Sequence, residues 1–183
     1  MKQSKALRLG FVTNLLMVLN LPMNAASSAD LWTAASTGDI GALEAHRERG
    51  ANVNALDSMG VSALHGAVAA NQRETVEWLL QNGARVNARS RSGRTPFATA
   101  AFLGNVEMAQ LLFKSGANIR IPDDRGLTAL KILSLDWETS RSIATDGPQQ
   151  IIDQQALEAG RKKIALWLAE ADYWIAIRIG DIS

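Results

Sequence analysis

RTPFATAAFLGNVEMAQLLFKSGANI, Arg94 to Ile119, holds two short apolar segments separated by Gly104 and closed by Gly116. Thr95 offers a hydroxyl that can cap a helix. Pro96 follows at the first helical position, where a missing N–H is harmless because it would have no helical partner. Gly116 stands where a left-handed residue ends a helix at least cost. The stretch therefore reads as helix, break, helix, stop. Its spacing returns along the chain: Gly50-Ala51, Gly83-Ala84 and Gly116-Ala117 lie 33 residues apart, and so do Gly60, Gly93 and Gly126. Two glycine ladders in one phase define a tandem array.

In that register the segments are DLWTAASTGDIGALEAHRERGANVNALD, SMGVSALHGAVAANQRETVEWLLQNGARVNARS, RSGRTPFATAAFLGNVEMAQLLFKSGANIRIPD and DRGLTALKILSLDWETS. The last three carry a G-x-[ST] turn, and each has a short apolar helix, a small break and, in the complete copies, a second helix ending in G-A-x-x-N or a relic of it. Ser62 and Thr128 occupy the capping position of Thr95. Val76, Leu79 and Leu80, with Val106, Leu111 and Leu112, form an apolar stripe that one repeat cannot bury by itself. The array is thus expected to fold as a unit, an all-α solenoid.

This pattern resembles the ankyrin repeat. Arg94 to Ile119 matches it most fully, and SALHGAVA keeps Leu64, His65 and Ala67 of the family's T-P-L-H-x-A core. The resemblance runs over roughly residues 30 to 135 and returns weakly at Gly160 to Ala171. It implies about four helix-turn-helix repeats (30–57, 58–90, 91–123 and 124–172) with β-turn or hairpin fingers, and a tail, 173–183. It also implies that His65 makes a structural hydrogen bond between repeat loops.

The fourth repeat is enlarged. Thr95 lies 9 residues before Gly104, whereas Thr128 lies 32 before Gly160, so about 23 residues, 136–158, are inserted between the two helices. Asp136 is placed to cap an inserted helix starting within SLDWETS, Asp146-Gly147-Pro148 marks a turn, and a helix can begin at Ile151 and run into the repeat's second helix. By the geometry of the resemblance, the insertion emerges opposite the fingers. Trp137 reads first as a cap over the terminal repeat and second as an anchor for a partner. In the tail, the alternation of Ile175, Ile177 and Ile179 fits an extended strand, the other reading being that the preceding helix continues.

The N-terminus reads as basic, apolar, then small: Lys2, Lys5 and Arg8, then Leu9 to Leu21, then PMNAASSA. The apolar run, interrupted by Asn14 and Asn20, is too short to span a bilayer comfortably and suits a secretory leader, residues 1–29, cut near Ala29-Asp30 or else Ala26-Ser27. The contrasting reading, a buried amphipathic helix, fits poorly with all three charges preceding the run. No arginine pair precedes it, so the general export route is expected rather than the twin-arginine one. Without the leader, 16 basic residues face 18 acidic ones, a net charge of −2 in place of +1. There is no cysteine, which removes disulfides and thiolate metal sites. The content of 47% hydrophobic and 20% charged residues is that of one folded domain.

Chemistry is sparse. His46 and His65 are the chain's imidazoles; His46, near a helix end, is expected to be solvated, and Asp123-Asp124 is expected to be a solvated turn pair. No nucleophile elbow, phosphate loop, zinc spacing or calcium loop occurs, so neither enzyme activity nor a cofactor is expected; the contrary reading puts an acidic site at Asp136, Glu138 and Asp153. The resemblance implies that finger tips and the concave side of the first helices meet partners. The residues expected there are Met59, Arg89, Arg91, Arg94, Phe102, Leu103 and Arg125, an apolar centre with an arginine rim, with Trp137 added from the insertion. The rim favours an acidic partner protein. Nucleic acid is disfavoured by the net charge and by the lack of an aromatic platform beside the arginines.

Small leader-bearing proteins similar to this one occur in bacteria, which implies a periplasmic destination, or secretion as the alternative, without stable membrane insertion after cleavage. The partner expected there is an exported enzyme, such as a cell-wall hydrolase or an oxidative-stress enzyme, that the chain inhibits, confers immunity to or protects. Alternatives are an assembly factor for such an enzyme and a membrane adaptor retaining its leader.

Overall fold

The computed structural model describes residues 28–143 and 153–178. Residues 1–27 of the expected leader, the Asp146-Gly147-Pro148 turn, Ile151 and Ile179 lie outside the described residues. The helices are α1 (Ser28–Thr37), α2 (Ile40–Glu48), α3 (Ala63–Ala69), α4 (Arg73–Gln81), α5 (Pro96–Phe102), α6 (Val106–Lys114), α7 (Ala129–Leu133), α8 (Trp137–Ile143) and α9 (Gln154–Arg178). They pair as α1/α2, α3/α4 and α5/α6, and α9 replaces the second helix of the last pair, packing on α5, α6 and α7. Along the array α1 packs on α3, α3 on α5, and α5 on α7. This is the all-α solenoid expected from the repeat.

The period acts residue by residue. Ser62, Thr95 and Thr128 cap α3, α5 and α7 by accepting from the backbone N–H of His65, Ala98 and Lys131. Between the helices of a pair, Gly38, Asn71 and Gly104 take φ of +79°, +58° and +65°, left-handed at the same repeat position. The buried set of α4 is Thr75, Val76 and Leu79, and that of α6 is its 33-residue image, Met108, Ala109 and Leu112. Leu80, Val106 and Leu111, expected on the same stripe, sit at its half-buried edge. Phe97 and Leu64 fill the centre, and burying a side chain of this size contributes about 1.5–3 kcal/mol.

The fingers are turns rather than hairpins: the described residues hold one isolated bridge, Leu56 with Ser62. Asp57 and Asp123 each accept from two backbone amides of their own turn. Asp123 is buried, contrary to its expected solvation, because it replaces missing strand pairing inside its turn. His46 is likewise buried on α2 rather than solvated. His65 fulfils its implied role: Nε2 donates to the Arg94 carbonyl at 2.9 Å, and Nδ1 lies 2.7 Å from Ser62 Oγ.

The last repeat departs from the period. Asp136 caps α8 as expected, and its bonds from Thr139 hold the carboxyl below its ordinary pKa. Gly160, the counterpart of Gly104 in the spacing, lies inside α9, the helix expected to run into the repeat's second helix. Its role is close approach: a Cβ there would run into the carbonyl oxygen of Gly104. α9 also continues through Ile175 and Ile177, so the strand expected for the tail is a helix as far as Arg178. The Trp167 and Phe113 rings meet edge to face at 5.1 Å and fix α9 on α6.

Two outcomes follow from this packing. Gly160→Ala forces α9 off the α5–α6 turn and costs about 1–3 kcal/mol, with Gly160→Val worse, as read by thermal unfolding; an unchanged midpoint would show that α9 does not cross there. Burial lowers the His65 pKa from 6.5 to about 4. Between these values the unfolded chain takes up a proton that the folded chain refuses, so stability present above pH 6.5 is lost as pH falls towards 4, by on the order of 3 kcal/mol. In chemical denaturation the difference between the parent and His65→Gln should shrink across that window.

Candidate functional site

The fingers form a ridge along one edge of the array, and each is tied to the next. The Arg91 backbone N–H donates to the Gly60 carbonyl at 3.0 Å, and its guanidinium donates to the Ser58 carbonyl at 2.8 Å. One finger on, the Asp124 N–H donates to the Ser92 carbonyl at 3.0 Å, while Arg89 donates to the Pro122 carbonyl and pairs with the Asp124 carboxylate at 2.8 Å. Gly60 is needed because a Cβ there would sit 2.7 Å from the Arg91 Cβ. Below the tips, the Asn54 side chain donates to the Gly83 carbonyl and accepts from the Arg85 N–H, and Asn87 repeats this with Gly116 and Asn118. Each staple satisfies backbone groups of the loop that follows a second helix, so the ridge is braced rather than loose.

The ridge gathers Met59, Arg89, Arg91 and Arg125. Met59 is 58% exposed and Leu56 48% exposed, an apolar pair at one tip beside the arginines of the next. Phe102 does not join them. It was expected at the concave surface, but it is only 7% exposed, because the Arg94 and Arg161 guanidinium carbons lie 4.7 Å and 5.2 Å from its ring centroid. Arg94, half-buried, therefore offers a stacked guanidinium where a phenyl ring was expected. Leu103, the C-cap of α5, is half-buried. Trp137 follows the C-terminus of α7, whereas the fingers precede the N-termini of the first helices, so it belongs to the opposite edge.

Arg161 is the residue that reading the sequence missed. It is 3% exposed; Nε and Nη2 donate to the Phe102 carbonyl, and Nη1 donates to the Leu135 carbonyl and to Ser140 Oγ. One guanidinium thus caps α5, holds α8 and backs Phe102. Burial pushes its pKa down, opposed by the nearby Glu158 charge, yet arginine keeps its proton. The signal was there: Leu157, Arg161, Ile164 and Leu168 share one helical face, so a cation stood on an apolar stripe. The three acids of the enzymatic reading do structural duty in part: Asp136 and Asp153 each accept backbone amides at a helix start. Among the described residues, no three His, Asp or Glu side chains are placed to hold a metal ion, and no helix is long and apolar enough to cross a membrane.

A braced repeat array with an exposed apolar and cationic ridge is the build of a protein-interaction module. The family model of ankyrin repeats in three copies matches residues 31–123, just over half of the chain, which belongs to the ankyrin-repeat family. An ankyrin repeat-containing protein of Schizosaccharomyces pombe is 26% identical over 113 residues, 61% of this chain and 53% of that protein. An ankyrin repeat protein of monkeypox virus is 32% identical over 97 residues, 51% of this chain and 17% of its own. Neurogenic locus notch homolog protein 1 of Mus musculus is 40% identical over 84 residues, covering 45% and 3%. The chain thus spans about half or less of the length of these relatives.

Arg161→Met leaves two backbone carbonyls without their donor and should destabilise the fold by about 1–3 kcal/mol, with faster hydrogen exchange at the amides of α8. Arg161→Lys should not restore it, since an ammonium cannot span the fork. A stabilised Met variant would mean that the cost of burying the charge outweighs its bonds.

Proposed function

We propose that the chain is an exported protein-binding module that grips its partner with the finger ridge. The observation that carries this reading is the Leu56–Met59 tip: large apolar side chains held exposed on a ridge whose hydrogen bonds prevent them from folding inward. Arg91 beside it favours a partner surface with carboxylates around an apolar spot. The basic-apolar-small N-terminus supports export, cleavage of the leader and a periplasmic destination. In that compartment the partner is an exported enzyme, and the chain inhibits, confers immunity to or protects it. The role is binding, not catalysis.

The test uses the chain recovered from its own cells, whose mass reports whether the leader is cut. Capture of a periplasmic enzyme by the parent, with affinity lowered about tenfold or more by Met59→Asp and by Arg91→Glu, supports the ridge. Met59→Asp decides the matter because its exposed side chain can change without disturbing the core. Equal capture by parent and variants rejects the ridge as the site. Turnover of the captured enzyme with equimolar chain then separates inhibition, which lowers it, from assembly or protection, which does not.

A further inference from the structure

Sulfur in this chain is all thioether. There is no cysteine, and of the five methionines Met1, Met17 and Met23 fall in the expected leader, which leaves Met59 and Met108. The fold treats these two oppositely. Met108 is 0% exposed on α6, inside the core, whereas Met59 is 58% exposed at the first finger tip. An oxidant in solution therefore reaches one of these sulfurs and not the other.

The array does not ask for an apolar side chain at this place. The same repeat position holds Ser92 in the second finger and Arg125 in the third. The turn itself is held by backbone groups: the Met59 N–H donates to the Asp57 carboxylate at 2.9 Å, the Val61 N–H to the same oxygen at 2.8 Å, and the Gly60 N–H to the Asp57 carbonyl at 2.9 Å. None of these bonds involves sulfur, so an oxygen added to it stays in water and leaves the finger intact. Its cost arises only when the tip is covered. A sulfoxide is polar where the thioether is apolar, and pressing it, with Leu56, against an apolar spot strips its water without replacement.

We propose that Met59 is a modification site, oxidised by a peroxide to the sulfoxide, and that this step releases the partner of the finger ridge. The sulfur lone pair attacks one peroxide oxygen, the S–O bond forms as the O–O bond breaks, and the second oxygen leaves as water. Sulfur gives up two electrons and the peroxide takes them. Two thiols acting through a methionine sulfoxide reductase reverse the step, yielding the thioether, a disulfide and water. The release rests on the reading of the ridge as the binding site, whereas the oxidation does not.

The probe is hydrogen peroxide, added to the full chain recovered from its own cells and removed before any periplasmic extract is offered. Peptide mass mapping over time should show oxygen on Met59 at least about tenfold faster than on Met108, with the thermal midpoint unchanged. The oxidised chain should leave a hydrophobic-interaction column earlier, and sulfoxide reductase with dithiothreitol should restore its retention. Capture from the extract should fall about tenfold and return with the reductase. Met59→Leu has no sulfur to oxidise, so its capture, whatever its starting level, should be the same before and after peroxide. The proposal is overturned by equal oxidation of both methionines in the folded chain, by undiminished capture once Met59 carries its oxygen, or by a Met59→Leu variant that loses capture on oxidation as the parent does. Met59→Asp is read without oxidant, so a ridge that is not the binding site shows itself before peroxide is added, while failure of the switch alone leaves Met59→Asp impaired.

Discussion

Helices of seven to nine residues, such as α3 and α4, are too short to persist alone in water, and a pair of them has too little facing area to bury its own apolar stripe. The array therefore exists only through contact between neighbouring repeats. α3 is stable because α1 and α5 cover it, and α5 because α3 and α7 do. Contact of this kind requires register. A slip of one residue would turn Leu79 and Leu112 away from the core, and the hydrogen bonds that cross from repeat to repeat prevent it. Asn54, His65, Asn87, Arg89 and Arg91 each bond to a group 29 to 33 residues further along or back.

That duty changes how the finger ridge is understood. Arginines in turns invite the idea of recognition, but Arg89 and Arg91 hold adjacent fingers together first. The two roles are compatible. Arg91 donates to a neutral carbonyl, so its positive charge remains to be complemented from outside, whereas that of Arg89 is matched by Asp124 at 2.8 Å. Bracing also fixes Leu56 and Met59 in the open, and a contact that is ordered before binding loses less entropy on binding.

The repeating part of the fold was legible because it is written several times. The Ser62, Thr95 and Thr128 caps, the glycine ladders and the register of α3 to α6 follow from spacing and turn chemistry alone. What escaped was written once. Gly160 matched the glycine of the helix break, yet its meaning comes from the Gly104 carbonyl, a neighbour 56 positions away that no local pattern shows. Phe102 was placed on the concave side of α5, and the two guanidinium groups that bury it come from α9 and from the preceding finger. Asp123 was taken for a solvated turn residue because side-chain bonding to its own turn is invisible without coordinates.

A repeat array must also stop, and the two terminal devices here differ in kind from the repeating ones. The third asparagine staple is missing because Arg120 occupies the position of Asn54 and Asn87, so the regular loop has nothing to hold beyond the third repeat. In its place, α9 crosses the α5–α6 turn at Gly104 and Gly160, and Arg161 fastens the crossing to α5 and α8. This closure secures the inner face of the last helix pair and leaves, between α7 and α9, a groove lined by Leu130, Leu133, Leu135 and Leu168. A terminal repeat evolved only to end the stack would present polar side chains there. Leu130, open to solvent on a five-residue helix at the rim of that groove, is placed as an inner repeat would place it for a neighbour.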